Sequence, residues 1–176
     1  MIQYYNTFED GSVNLSTPFP DVALSLGLEL TTDEEIVYGY DGKRYLASQC
    51  PETPIELLRE PKLREIDDAF DDEINNTAHV TSSIDGFEID ARRRDGQNIE
   101  GLITYYTEPI PYKGYTETRP NTTLDELNTF KREIYENGLR LYNKKWTLEQ
   151  AVANAQTKEE IDAISWDMDL NVTETE

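Results

Sequence analysis

Apolar positions along the chain switch between two periods. Over residues 1–55 short apolar runs are broken by turn residues, while further on they recur at helical spacing. Ile2-Gln3-Tyr4-Tyr5 and Val13-Asn14-Leu15 flank Asp10-Gly11, a hairpin dipeptide. Pro18 and Pro20 end that element. Asp21 to Leu30 fits a short helix with Val22, Ala23, Leu26 and Leu30 on one side, weakened by Gly27. The clearest hairpin is Ile36-Val37-Tyr38-Gly39-Tyr40, Asp41-Gly42, Lys43-Arg44-Tyr45-Leu46. Asp-Gly supplies the positive φ that a type I′ turn needs at both central residues. Alternation sets Ile36, Tyr38 and Tyr40 on one face and Val37 on the other. Cys50-Pro51-Glu52-Thr53-Pro54 closes this section as an extended connector.

Residues 56–76 predict a helix whose stripe is Leu63, Ile66, Phe70 and Ile74, with Pro61 near its first turn. Asn75-Asn76-Thr77 ends it. His79 to Ile89 suits a third hairpin over Asp85-Gly86. Asp90 to Tyr106 then reads as a helix carrying Ile99, Leu102, Ile103 and Tyr106, with Gly96 a candidate break. Residues 107–122 hold three prolines and no apolar period, so a linker or long ordered loop is expected. Thr123-x-x-Glu126 is a capping box before Leu127, Phe130, Ile134 and Leu141, with Gly138 on the same stripe. Thr147-x-x-Gln150 and Thr157-x-x-Glu160 repeat the box. One long helix and two short ones are therefore expected, with Trp146 and Trp166 filling the gaps at their ends.

The expected fold class is α+β. A β-hairpin-rich part covers 1–55, helix, hairpin and helix cover 56–106, and a Pro/Tyr-rich linker covers 107–122. A helical unit covers 123–166, and a polar tail follows at 167–176.

Charge changes the picture of partners. The chain has 36 acidic and 16 basic residues, a net charge of −20, and acid prevails in every third of it. Nucleic acid is not an expected ligand, because phosphate binding needs a basic face. The acidity reads either as solubility and self-repulsion or as a surface that imitates DNA or docks on a basic partner. Cys50 is the single cysteine, which leaves no intrachain disulfide and no cysteine-based zinc site. The N-terminal residues lack the basic and apolar regions of a secretory signal. No apolar run is long enough for a membrane span.

Candidate chemistry is sparse. Asp67, Asp68, Asp71, Asp72 and Glu73 crowd one helix face. Such a face is solvated, docks a partner or attracts calcium, and a straight helix splays the oxygens that calcium needs converged. His79 is the only histidine, and no G-x-S-x-G elbow accompanies it, so it reads as an ordinary strand or loop residue. No P-loop surrounds Gly96. Arg92, Arg93 and Arg94 are the densest positive cluster. They pair with the acidic helix face, form an interface or bind phosphate, and acid-rich surroundings favour the first two. Tyr112 and Tyr115, beside Tyr105 and Tyr106, either anchor an interface or lie over the nearest core. Trp146, Trp166, Thr147 and Thr157 read as structural. No catalytic, cofactor or metal residue is assigned, and no enzyme activity is expected.

Two runs carry a family resemblance. The first is Phe87-Glu88-Ile89-Asp90-Ala91-Arg92-Arg93-Arg94-Asp95, continued by Asn98-Ile99-Glu100-Gly101-Leu102-Ile103. The second is Trp146-Thr147-Leu148, Ala151, Ala155, Thr157-Lys158-Glu159-Glu160-Ile161, Ile164 and Trp166. Over about residues 62–166 the chain resembles a domain of unknown function found in tailed-phage proteins. The hairpin from Tyr38 to Leu46, before Pro51-Glu52-Thr53-Pro54, resembles the usual leader of such proteins. The resemblance implies a tail-fibre-associated or tail-fibre-assembly role, and it carries over no catalytic residue. The expected protein is thus a structural adaptor of a bacteriophage tail or tail fibre, or its assembly chaperone. Its partners would be tail proteins or further copies of itself, in the virion or in the host cytoplasm during assembly. The competing reading is an acidic inhibitor that imitates nucleic acid against a host protein.

Overall fold

The structure is a computed structural model that describes residues 1–168, so most of the expected polar tail lies outside the described residues. The chain divides into two compact units, Met1–Leu57 and Leu58–Glu176. The fold class is α+β, as expected.

The first unit is a five-stranded antiparallel sheet in the order β3-β1-β2-β5-β4. Its strands are β1 (Gln3–Thr7), β2 (Val13–Thr17), β3 (Leu30–Thr32), β4 (Ile36–Tyr38) and β5 (Arg44–Leu46). The first hairpin forms around Gly11 at φ 83°, with a bulge between Asn6 and Thr7. Helix α1 (Pro20–Leu26) then carries the chain across to the far side of β1. Gly27 ends this helix rather than weakening it. It sits at φ 66°, and the Leu28 N–H returns to the Ala23 carbonyl. Leu30, expected on the helix, is therefore a strand residue. The β4–β5 turn also differs from expectation. Only Gly42 has positive φ, and the Gly39 N–H bonds the Lys43 carbonyl. That is a three-residue loop with a bulge, not a type I′ turn.

Helix α2 (Ile55–Asp72) starts at the end of the first unit and runs into the second, where it buries Ile66 and Phe70, and a π-helical turn (Glu73–Thr77) buries Ile74. Because α2 starts at Ile55, Pro61 lies inside it rather than in its first turn, and the Leu57 carbonyl loses its helical partner. Strands β6 (His79–Thr81) and β7 (Glu88–Asp90) form the hairpin expected over Asp85-Gly86, both at positive φ. Helix α3 (Arg93–Thr104) starts later than Asp90, because Asp90 is spent in β7 and the Asp95 carboxylate accepts the Arg92 N–H. Gly96 does not break α3. It is buried, with Tyr135 and Ile134 within van der Waals reach of where a Cβ would stand.

Residues 107–122 hold a further hairpin, β8 (Ile110–Lys113) with β9 (Thr118–Thr122), where a linker or loop was expected. Pro111 and Pro120 are tolerated because each strand of a two-stranded sheet has one edge with no ladder to feed. Helix α4 (Leu124–Asn154) is one 31-residue rod. It runs straight through Thr147, where a new helix was expected; that hydroxyl donates to the Asn143 carbonyl. Helix α5 (Lys158–Ala163) does begin at its Thr157 cap. Phe70, Ile74, Phe87, Ile89, Ile99, Leu127, Phe130, Ile134 and Leu141 meet in one core. Each such buried side chain contributes about 1.5–3 kcal/mol. Gly138 leaves open space beside α4, and Asn137 takes the buried position instead.

Candidate functional site

The residues singled out in sequence fall in different places. Arg92 pairs with its own neighbours, Asp95 at 2.7 Å and Asp90 at 3.0 Å, and not with the acidic face of α2. Arg93 donates to the Tyr142 hydroxyl at 3.0 Å. Arg94 is exposed, with no side-chain partner among the described residues. The three arginines thus do not act as one cluster. The acidic face of α2 draws its cations from α4: Lys145 bonds Asp67 at 2.6 Å, and Arg140 lies 3.7 Å from Glu73. Tyr112 is buried against Phe87 and Phe130, which leaves it no face for a partner. Burial, with Asp95 and Asp90 nearby, pushes its hydroxyl up to about 12. Trp166 packs on Phe70 and donates from Nε1 to Glu73 at 2.6 Å. Trp146 is 54% exposed and does not close a gap between helices, although its ring leans on Tyr142.

The β6–β7 hairpin gathers what sequence reasoning missed. Tyr115 is half exposed and stacks on His79, with ring centroids 4.3 Å apart and planes within 5°. The Tyr115 N–H donates to the Glu88 carbonyl at 2.8 Å, so the outer edge of β7 is covered by the β8–β9 turn. The outer edge of β6 has no such cover among the described residues. Ser82 and Ala78 bond across to Phe87 and Ala91, so by strand alternation Val80 also faces β7. The backbone groups of His79 and Thr81 therefore point away from the sheet.

Two shallow clefts flank that edge. One, of about 380 Å³, includes Asp72, Glu73, Thr77, His79, Trp166 and Asp167 in its lining. The other, of about 420 Å³, lies between Val80, Thr81 and Ser83 and the α4 residues Glu133, Glu136, Asn137 and Arg140. The Arg140–Glu73 pair reaches from one cleft to the other. In the second cleft Glu133 accepts both the N–H (2.9 Å) and the hydroxyl (2.6 Å) of Ser83. Burial opposes the Glu133 charge, but hydrogen bonds from Ser82 and Ser83 outweigh it and hold the carboxyl below its ordinary value. Among the described residues no three His, Cys, Asp or Glu side chains are grouped to hold a metal ion, and no helix is long and apolar enough to cross a membrane.

The family model for a domain of unknown function, DUF4376, matches residues 58–165, more than half of the chain. The chain belongs to the DUF4376 family. No curated protein and no solved structure matches it. The DUF4376 match begins where the second compact unit begins, at residue 58. It takes in the β6 edge, the cleft beside α4, the other cleft except for Trp166 and Asp167, and the cap of α5.

The unit outside the DUF4376 match has a different surface. Its buried apolar residues are Val13, Ala23, Leu28, Tyr45 and Leu46. Against that small core, Phe8, Phe19, Leu24 and Tyr38 are each more than half exposed. Phe19, Val22 and Leu26 share one stripe of α1, and all three are exposed. Of Ile36, Tyr38 and Tyr40, expected on one face of a strand, Ile36 is half-buried and Tyr38 exposed on β4, while Tyr40 lies beyond the strand in the β4–β5 loop and is exposed.

Proposed function

We propose that this chain is a non-enzymatic bacteriophage tail protein, a structural adaptor of the tail or tail fibre or the assembly chaperone of the fibre. The observation that carries the adaptor reading is the unevenness of the N-terminal unit. A unit that exposes Phe8, Phe19, Leu24 and Tyr38 around a core of five apolar residues presents the surface of an attachment module. The DUF4376 domain, by contrast, buries a continuous core of its own. One part holds a partner and the other folds around itself, which is the division of labour an adaptor needs. The tail assignment rests on the resemblance of residues 87–103 and 146–166 to a domain of tailed-phage proteins. The competing reading, charge mimicry of nucleic acid, has on the α2 face only Asp68, Asp71 and Asp72 exposed without a cation among the described residues, because Asp67 and Glu73 are engaged by Lys145, Trp166 and Arg140.

Quantitative mass spectrometry of purified virions tests the proposal. A fixed copy number in a multiple of the tail symmetry is the expected result for the adaptor. Absence from virions, with co-purification of a fibre protein from infected cells, selects the chaperone. Absence from virions with capture of a host nucleic-acid-binding protein overturns the tail reading in favour of the inhibitor.

A further inference from the structure

We infer that the free edge of β6 is a docking site for an extended, basic peptide segment of a partner protein, which adds to the hairpin as a third strand. Any such partner serves, so the inference does not depend on the tail assignment.

The first ground is the asymmetry of the hairpin. The β7 edge is closed by the Tyr115 N–H on the Glu88 carbonyl. Among the described residues the β6 edge is closed only at its two ends. At one end the His79 ring Nδ1 meets the Thr77 carbonyl at 3.1 Å, and at the other Glu133 accepts the Ser83 N–H. Between them, the outward N–H and C=O groups of His79 and Thr81 have no partner among the described residues. Both residues are exposed. Two donors and two acceptors at strand spacing fit an extended main chain and little else.

The second ground is Asn137 in the cleft beside that edge. It is 6% exposed. Arg140 donates from Nε and Nη2 to its Oδ1 at 3.2 and 2.9 Å, which fixes the orientation of the amide. Its Nδ2 is left a buried donor without a partner. A buried polar group in that state calls for an acceptor. A carbonyl of a strand laid along β6 over α4 supplies one once the side chains of the cleft part around it.

The third ground is charge. Glu133 and Glu136 line the cleft on the α4 side together with one cation, Arg140, and Asp72, Glu73 and Asp167 line its neighbour, so acid outnumbers base along the edge even with Arg132 near Glu136 and Arg140 near Glu73. Lysine or arginine side chains on the added strand complement the carboxylates, whereas a second copy of a chain of net charge −20 is repelled.

The test uses the full chain, ¹⁵N-labelled, with the synthetic peptide Lys-Val-Lys-Val-Lys as probe. Strand addition draws its affinity from main-chain bonds, so a generic alternating basic peptide suffices. The expected result is slowed exchange at the His79 and Thr81 amides. The same peptide N-methylated at every residue keeps its charge and loses its donors, and it is expected to bind about tenfold more weakly or worse. Thr81→Pro removes an edge donor, and with it the hydroxyl bond to Glu88, while leaving the main-chain bonds to β7; it is expected to weaken the unmethylated peptide similarly. If Thr81→Pro fails to fold, the methylated peptide on the wild-type chain still decides. Unchanged exchange at the two amides, or equal binding of the methylated peptide, overturns the inference.

Discussion

Gly114 lies directly against the Glu88 carbonyl. A Cβ built on it would stand well inside van der Waals contact of that oxygen and 2.5 Å from Phe87 Cζ. The β8–β9 turn can therefore press on the outer edge of β7 only because residue 114 has no side chain. Gly114→Ala is expected to lower the stability of the DUF4376 domain by about 1–3 kcal/mol, read from urea unfolding. Gly138→Ala is the matching control, since nothing lies within 4 Å of a Cβ there. In the interior of α4 that change is expected to raise stability by about 0.5–1 kcal/mol. Equal effects of the two substitutions would mean that the close approach at Gly114 does not hold in solution.

Three threonines share one local motif and have two physical roles. The Thr123 hydroxyl accepts the Glu126 N–H at 3.3 Å while Glu126 accepts the Thr123 N–H at 2.7 Å. The Thr157 hydroxyl accepts the Glu160 N–H at 3.1 Å. Thr147 caps nothing and bonds back to Asn143. Thr123→Ala is expected to cost about 1 kcal/mol. Thr147→Ala is expected to be neutral or slightly stabilising, because alanine is the better helix former and no cap is lost. A loss at Thr147 as large as that at Thr123 would show that α4 is divided there.

These threonines also mark what sequence reasoning reached. The capping box locates a helix start only where the preceding chain leaves the helix. Thr123 follows a strand and Thr157 follows the exit at Ala155, but Thr147 follows a stretch from Leu139 that holds no Gly or Pro to end the helix. The Asp-Gly pairs at 41–42 and 85–86 disclosed two hairpins, because positive φ is a demand that one residue states by itself. The β8–β9 hairpin was hidden by Pro109, Pro111 and Pro120, whose cost depends on which edge of a strand is free. The β6 edge was illegible for the same reason. No residue in His79–Thr81 records that Tyr115 covers the other strand. Arg92 pairs with Asp90 and Asp95, carboxylates only a few residues away, and not with the richer acid on α2, because the strand-to-helix exit at 90–93 folds these neighbours together.

The two tryptophans are expected to report opposite environments. Trp166 gives its Nε1 proton to Glu73 at 2.6 Å beside Phe70, while Trp146 is 54% exposed. In Trp166→Phe the remaining emission, from Trp146, is expected to be red-shifted and readily quenched by acrylamide. In Trp146→Phe the emission of Trp166 is expected to be blue-shifted and protected. Trp166→Phe also leaves Glu73 short of a donor and is expected to cost about 1–2 kcal/mol, against about 0.5 kcal/mol or less for Trp146→Phe. Similar quenching of both variants would exclude the packing of Trp166 on α2.

Tyr112 makes the stability of the DUF4376 domain sensitive to alkali. Burial, then the nearby charges of Asp95 and Asp90, pushes its hydroxyl from 10.0 up to about 12. The folded state thus prefers the neutral phenol. A group whose folded value is raised contributes its stability in full below its unfolded value. That contribution is lost as pH climbs from 10.0 toward about 12. The loss is at most about 2–3 kcal/mol. Tyr112→Phe has nothing to ionise at this position, so between about pH 8 and pH 11 its stability is expected to fall less than that of the parent chain. Urea midpoints at the two pH values measure the difference. The other tyrosines are common to both proteins, so their titration cancels in the comparison. Equal slopes in the two proteins would place the Tyr112 hydroxyl in water and not between Phe87 and Phe130.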